Sequence, residues 1–204
     1  PILLLHGDGH RWIHNRPFAA KNVLRVQVDQ GGIAPPLLVT VTDDPKTPFV
    51  FDRRMSEDKA AAALGRLGAK IRRDDAGRII EVDLGERQTT DADLAQLVGL
   101  RAIEELSLHQ TRITGAGLVH LKGLTTLKRA FFSDTSVDDA GVAQLKQLKN
   151  LSVLGLSGTR ITDRGLEHLS GLKSLSSLFA VGTQVTDAGA ARLKKTLPNC
   201  TISH

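Results

Sequence analysis

The sequence predicts an α/β solenoid, with a parallel sheet along its concave side and short helices along its convex side. Three observations predict it. Leu100, Leu124, Leu148 and Leu172 open successive blocks of equal length, and a fixed short period is the signature of stacked structural units. Each block alternates inward and outward residues over a few positions and then turns into a capped, one-faced helical stretch. Aromatic residues make up only 3% of the 204 residues, with no Tyr at all, so the interior must be built from Leu, Val, Ile and Ala.

The segment 1–55 lacks the period. Ile2-Leu3-Leu4-Leu5 has the composition of a buried strand and runs into His6-Gly7-Asp8-Gly9-His10. Val23 to Val28 and Leu37 to Val41 alternate apolar and polar residues, as a pair of half-buried strands does. Asp43-Asp44-Pro45 and Lys46-Thr47-Pro48 are turn chemistry, and Phe49-Val50-Phe51 is a last short strand. The expectation for 1–55 is a β-rich segment. Residues 56–78 form a cap for the repeats. Ser56-Glu57-Asp58 starts a helix that carries Ala60, Ala61, Ala63, Leu64 and Leu67 and stops at Gly68. Asp74-Asp75-Ala76-Gly77 then makes the turn of a hairpin between Ile71 and Ile79 to Val82.

The repeats occupy 79–204. The clearest block is LKNLSVLGLSGTRITDRGLEHLSG, Leu148 to Gly171; a degenerate copy precedes the four full blocks, and LPNCTIS closes them. Strand alternation points Leu154 and Leu156 inward, together with Val82/Leu84, Leu106/Leu108, Ala130/Phe132 and Leu178/Ala180. Ala130 and Phe132 replace two leucines by a small and a large residue, a swap that conserves volume. Thr111, Thr135, Thr159 and Thr183 fall in register, as do Gly117, Gly141, Gly165 and Gly189. Thr162-Asp163 reads as a helix start, with Thr capping free amides and Asp at the positive helix end. Leu166 and Leu169 lie on one face of that helix. No block can bury its apolar side alone, so neighbours must stack. At the far end Pro198 closes the last helix, and Cys200 with Ile202 forms a final strand. Cys200 takes an inward position, that of an inert core thiol.

These blocks resemble the leucine-rich repeat family in its bacterial form, L-x-x-L-x-x-L-x-L-x-x-T-x-[IV]-T-D-x-G-L-x-x-L, over residues 79–203. The resemblance implies a scaffold for binding other proteins. It also implies a hydrogen-bonded ladder between coils, made in many relatives by an Asn where this chain has Thr, whose hydroxyl is expected to do part of that work. The segment 1–52 resembles the C-terminal end of calcineurin-like metallophosphoesterase domains, in which a strand runs into Gly-His-x-His or Gly-Asp-x-His. That resemblance implies a divalent metal held by Asp8 and His10, both apt ligands for Zn, Mn or Fe. Apart from Asp8-Gly9-His10 itself, which the resemblance places in the C-terminal motif, the chain has no Asp-x-His segment, and the family's Gly-Asp-x-x-Asp and Gly-Asn-His-Glu segments do not occur, so it is expected to hold no complete two-metal centre. His6, His10 and His14 recur at a regular spacing, but the glycines between them argue against a helical ligand row. A hydrolase reading of the same motif needs a Gly-x-Ser-x-Gly elbow, and none is present. Two readings of 1–55 stay open: a partial phosphoesterase whose repeats target it, or a β-structured extension.

Composition narrows the partners. The net charge of +5 comes from 27 basic and 22 acidic residues spread along the chain, too mixed to point to nucleic acid. Lys122, Lys128, Lys146, Lys149, Lys173, Lys194 and Lys195 fall on the convex side without interleaved aromatics, which reads as a solvated face. No apolar run approaches the roughly 18 residues that cross a bilayer, and one cysteine excludes an intramolecular disulfide. With no initiator Met, an upstream segment has room to exist. The compartment is not legible, with the cytoplasm favoured.

The outward strand positions form three columns. The central one reads Asp83, Ser107, Phe131, Gly155, Phe179. The preceding one reads Glu81, Glu105, Arg129, Val153, Ser177, and the following one Gly85, His109, Ser133, Ser157, Val181. The expectation is a protein partner, with no cofactor beyond the metal that the N-terminal resemblance implies, and no nucleic acid or membrane. It would be gripped on the concave face through Phe131, Phe179, Asp83, Glu105, Ser107, His109, Arg129 and Gly155. The two Phe residues would flank a shallow pocket over Gly155. Glu81, Asp83, Glu86 and Glu105 would form an acidic rim. The chain reads as an interaction module rather than an enzyme.

Overall fold

In each repeat a very short strand must pair on both sides, because a bare strand edge leaves its backbone groups without partners. The computed structural model describes residues 57–204 in full and, before them, the backbone of three strands and the start of one helix. The chain divides into two units, Pro1–Lys59 and Ala60–His204. In the first, β1 (Arg25–Val28), β2 (Leu37–Val41) and β3 (Phe49–Asp52) form an antiparallel sheet in that order. The β-rich expectation holds for these strands; Ile2 to Leu5 and the His6–His10 turn lie outside the described residues.

The second unit begins within α1 (Arg54–Arg66), which starts slightly before the Ser56 start that the sequence suggests. Ala60 and Leu64 are its buried residues, and Gly68 ends the segment at a φ of 81°. β4 (Lys70–Arg73) then pairs antiparallel with β5 (Ile79–Asp83) around the expected turn. Asp74 shapes that turn by accepting from the amides of Ala76 and Arg78. From β5 onward every pairing is parallel: β6 (Glu105–Ser107), β7 (Arg129–Phe131), β8 (Val153–Gly155), β9 (Ser177–Phe179) and β10 (Thr201–Ser203) add in sequence order. Register is constant, so Val82, Leu106, Ala130, Leu154, Leu178 and Ile202 form one row. The expected inward pairs are buried without exception, Ala130 and Phe132 among them. Each fully buried Leu contributes about 1.5–3 kcal/mol relative to exposure. One apolar cluster runs unbroken from Ala60 to Cys200.

The convex elements differ along the stack. The segments Asp91–Leu97 and Gly115–Leu121 are 3-10 helices, whereas α2 (Asp139–Val142), α3 (Asp163–Leu169) and α4 (Asp187–Thr196) are α-helical. Gly115-Ala116-Gly117 is a poor helix start and the Ala-rich α4 a good one, which accounts for the contrast between those two.

Coils are locked together by a carboxylate. Asp139 accepts from the Thr162 amide at 2.8 Å and from its hydroxyl at 2.7 Å. Asp91 does the same for Thr114, and Asp163 for Thr186. The same Thr hydroxyl accepts an amide of its own helix, Arg164 N at 3.2 Å in the case of Thr162. Three of the in-register glycines, Gly117, Gly165 and Gly189, follow from this lock. A Cβ on Gly165 would lie 2.5 Å from Asp139 Oδ1, so the carboxylate leaves room only for hydrogen. One seam is different: Gly115 stands in the Asp position and Asp138 in the following Thr position, and Asp138 caps the Gly141 amide itself at 3.0 Å.

The in-register threonines correct the expected ladder. Thr111, Thr135, Thr159 and Thr183 donate to the carbonyls of Leu108, Phe132, Leu156 and Ala180 in their own coils, at 2.6–2.7 Å. A hydroxyl on one short arm reaches its own turn, not the next coil. Thr89, 1% exposed, stands where later coils carry Ile113, Val137 and Ile161, and its hydroxyl has no partner.

Three outcomes are expected. Gly165→Ala should destabilise the chain by about 1–3 kcal/mol through overpacking, read as a lower denaturant midpoint. Thr89→Val should stabilise it by about 1 kcal/mol, since an unpartnered buried hydroxyl is removed at nearly constant shape. The hydrogen bonds from the Thr186 amide and hydroxyl hold the Asp163 carboxyl below its ordinary value of 3.8, with Arg192 adding to the effect. A depressed folded-state pKa means that this stabilisation is present above the ordinary range and lost as pH falls through the lower, folded value. Asp163→Asn should therefore flatten the acid limb of a stability–pH profile below about pH 4.

Candidate functional site

The concave face is made of side chains that the strands turn away from the core. Because register is constant, Glu81, Glu105, Arg129, Val153 and Ser177 lie side by side, and so do Asp83, Ser107, Phe131, Gly155 and Phe179. The two ends of this surface differ in chemistry. At the N-terminal end a pocket of about 440 Å³ is lined by Glu81, Asp83, Glu105, Ser107, His109, Phe131, Ser133 and Asp134, with Val82 at its base. Toward the C-terminal end the same columns carry Val153, Phe179 and Val181, with Phe179 43% and Val181 55% exposed.

The carboxylates of the pocket are largely partnered from its edge, so the expected acidic rim is a ladder of mixed charge. Arg72 Nε donates to Glu81 at 2.6 Å, and Lys70 stands 3.9 Å from Asp83. Arg129 Nε donates to Glu105 at 2.8 Å and its Nη2 joins the same oxygen; this pair holds the guanidinium above its ordinary range. None of the three cations lines the pocket. Asp134 makes no ion pair among the described residues. His109 Nδ1 lies 2.8 Å from the Ser107 hydroxyl, and its Nε2 stands 3.6 Å from Glu86.

Five of the expected residues come together in the pocket: Asp83, Glu105, Ser107, His109 and Phe131. Arg129 sits beside it as the partner of Glu105. Phe179 stands two strands from Phe131. The expected shallow pocket over Gly155 is not formed. Gly155 is buried, and the Phe131 ring lies 3.1 Å from where its Cβ would be. The missing side chain lets Phe131 lie across the neighbouring strand, half-buried, and the open space falls on the other side of the ring.

Asp134 escaped the reading of the columns because it lies beyond the strand. Its signal was in the repeat alignment. Glu86, Gln110, Asp134, Gly158 and Gly182 share one position, and all have positive φ, between 52° and 70°. Later coils place Gly there, which adopts this conformation freely. The three coils of the pocket place longer polar side chains there despite the steric cost.

Asp8 and His10, like His6 and His14, lie outside the described residues. Among the described residues no group of three or more His, Cys, Asp or Glu is arranged to hold a metal, and no helix is long and apolar enough to cross a membrane. Cys200 is fully buried, and burial raises its thiol pKa against the opposing effect of Lys194, as befits a core thiol. On the convex side Lys149 and Lys173 donate to the carbonyls of Gly171 and Thr196, about one repeat further along the chain. Lys128 pairs with Glu104 and Lys194 with the Cys200 carbonyl.

No family model matches the sequence, and no curated protein matches it. Solved structures do. An internalin (inlF) from Listeria monocytogenes superposes with a TM-score of 0.53 at 24% identity, over 62% of this chain and 34% of its own. The LRR ectodomain of the receptor kinase SOBIR1 from Arabidopsis thaliana gives 0.49 at 14% identity, over 73% and 91%. The chain spans about a third of the length of the internalin it matches. At this identity the likeness is one of fold: the chain folds as a leucine-rich repeat solenoid, as the repeat predicts.

Proposed function

We propose that this chain is a protein-interaction module whose partner lies along the concave face of the solenoid. The observation that carries the reading is the gathering of Asp83, Glu105, Ser107, His109 and Phe131 around one pocket of about 440 Å³. On the same sheet face Phe179 and Val181 stay exposed. A half-buried aromatic beside polar groups is the composition of an interface hot spot, where single side chains contribute ~2 kcal/mol or more. Exposed apolar residues clustered on one face mark interaction surfaces more than scattered ones do.

A hydrolytic reading of Ser107, His109 and Glu86 is not supported by the same geometry. The flanking amides of Leu108 and Gln110 are already donated to Phe131 and Ser133 of the next coil, at 2.8 and 2.9 Å. An oxyanion would need such donors free. The Ser–His pair serves better as an adaptable hydrogen-bonding group toward a bound chain.

The test uses the full chain with a photo-crosslinking side chain at Ser107 or, as a control, at Lys146 on the convex side, irradiated in lysate of the source cells. The expected result is a discrete protein adduct from position 107 only. Phe131→Ala with Phe179→Ala should weaken that adduct by about tenfold or more while leaving the melting curve cooperative. A double variant that keeps its fold and every adduct would show the concave-face reading to be wrong.

A further inference from the structure

The concave face offers two unlike seats at a fixed distance. The pocket at the N-terminal end presents Glu81, Asp83, Glu105 and Asp134 and no lysine or arginine among its lining residues, against one face of Phe131. Arg72, Lys70 and Arg129 partner Glu81, Asp83 and Glu105 from the edge, so the lining carries one carboxylate, Asp134, beyond those cations. Asp83 has only a distant cation at 3.9 Å, and Asp134 has none among the described residues. Carboxylates beside an aromatic ring suit a cationic side chain, which gains both ion pairing and cation–π attraction. The second seat, Phe179 with Val181, is exposed, apolar and free of charge in its strand neighbours Ser177, Gly155 and Val153.

The separation of the seats follows from the sheet. The pocket is centred on β6 and the apolar seat is on β9, three strand intervals away. At ~4.8 Å per interval the seats are about 14 Å apart, which an extended chain spans in about four residues at ~3.3 Å each. We infer that the partner presents an extended segment bearing a lysine or arginine and a large apolar residue about four positions apart. The cation seats against Phe131 and Asp83, with Asp134, whose Oδ1 lies against Gly158, at the edge of the same lining, and the apolar side chain lies on Phe179 and Val181. This inference rests on the concave-face reading and adds to it the chemistry and spacing of what is bound.

The test is an NMR titration of the ¹⁵N-labelled full chain with Gly/Ser peptides that carry one Arg and one Leu at spacings of two, four or seven positions. A control peptide replaces Arg by Glu. The spacing-four peptide should bind at least about fivefold more tightly than the other two, a difference near ~1 kcal/mol. It should shift resonances of both Ser107–Asp134 and Ser177–Val181. Asp83→Asn with Asp134→Asn should reduce its affinity to that of the Glu control. Both substitutions are nearly isosteric, and Asn tolerates the positive φ of position 134. Phe179→Ala should abolish the dependence on spacing. Equal affinities at all spacings, tighter binding of the Glu control, or no binding would overturn the inference. If the Ser107 adduct of the preceding experiment persists in any of those cases, only the chemistry assigned to the partner fails. If that adduct is missing too, the concave-face reading falls with it.

Discussion

A carboxylate passed from one coil to the next ties the coils of the solenoid together at three of its seams. Asp91, Asp139 and Asp163 each take the amide and the hydroxyl of the Thr that caps the following coil's helix. That hydroxyl takes in turn an amide of its own helix. Helix capping and coil stacking are thus one interaction, and a coil whose cap is lost also loosens its neighbour. Repeat proteins have no long-range contacts beyond adjacent units, so such a seam has no second layer of structure to back it up. The seam between Gly115 and Asp138 shows how tightly the positions are coupled. Asp138 occupies the space that a side chain on residue 115 would need, so the acid moves to the far side and its usual position becomes glycine.

The apolar interior supplies most of the free energy, and the locks determine how it is used. Identical register at every parallel pairing turns a sequence period into straight columns of outward side chains. Short strands keep those columns narrow, so each coil contributes only two or three groups to the concave face. The neighbours of each group come from other coils, one full period away in sequence. Chemistry on this face is therefore assembled by stacking: Glu105 meets Arg129, and Phe131 lies over Gly155, only because consecutive coils superpose. The left-handed turn after each strand adds a further side chain to that surface. In the coils of Glu86, Gln110 and Asp134 a side chain is kept where the backbone prefers glycine, and those are the coils that build the pocket.

Much of the solenoid was legible from residues alone. Inward pairs, helix starts at Thr-Asp, the hairpin at Asp74 to Gly77 and the final strand near Cys200 each depend on chemistry within a few positions, and each lies where local pattern put it. The columns of the concave face were legible too, because period and alternation together define them. The role of the in-register Thr was misassigned: sequence showed that a polar group was required there, but not that its hydroxyl reaches only its own carbonyl while Asp spans to the next coil. Reach is a matter of side-chain length against a coil spacing that no single block contains. Gly155 was misjudged for the same reason, since an absent side chain is filled by whichever neighbour can lean over it.

What the sequence by itself determined is the unit and its stacking: a constant short period whose blocks cannot bury their apolar stripe alone, with caps that state where each helix begins. What only the tertiary structure decided is which charges pair, which way Phe131 lies and where the open space falls. Those outcomes depend on contacts between residues of different coils, whose distances are set by packing and not by spacing along the chain.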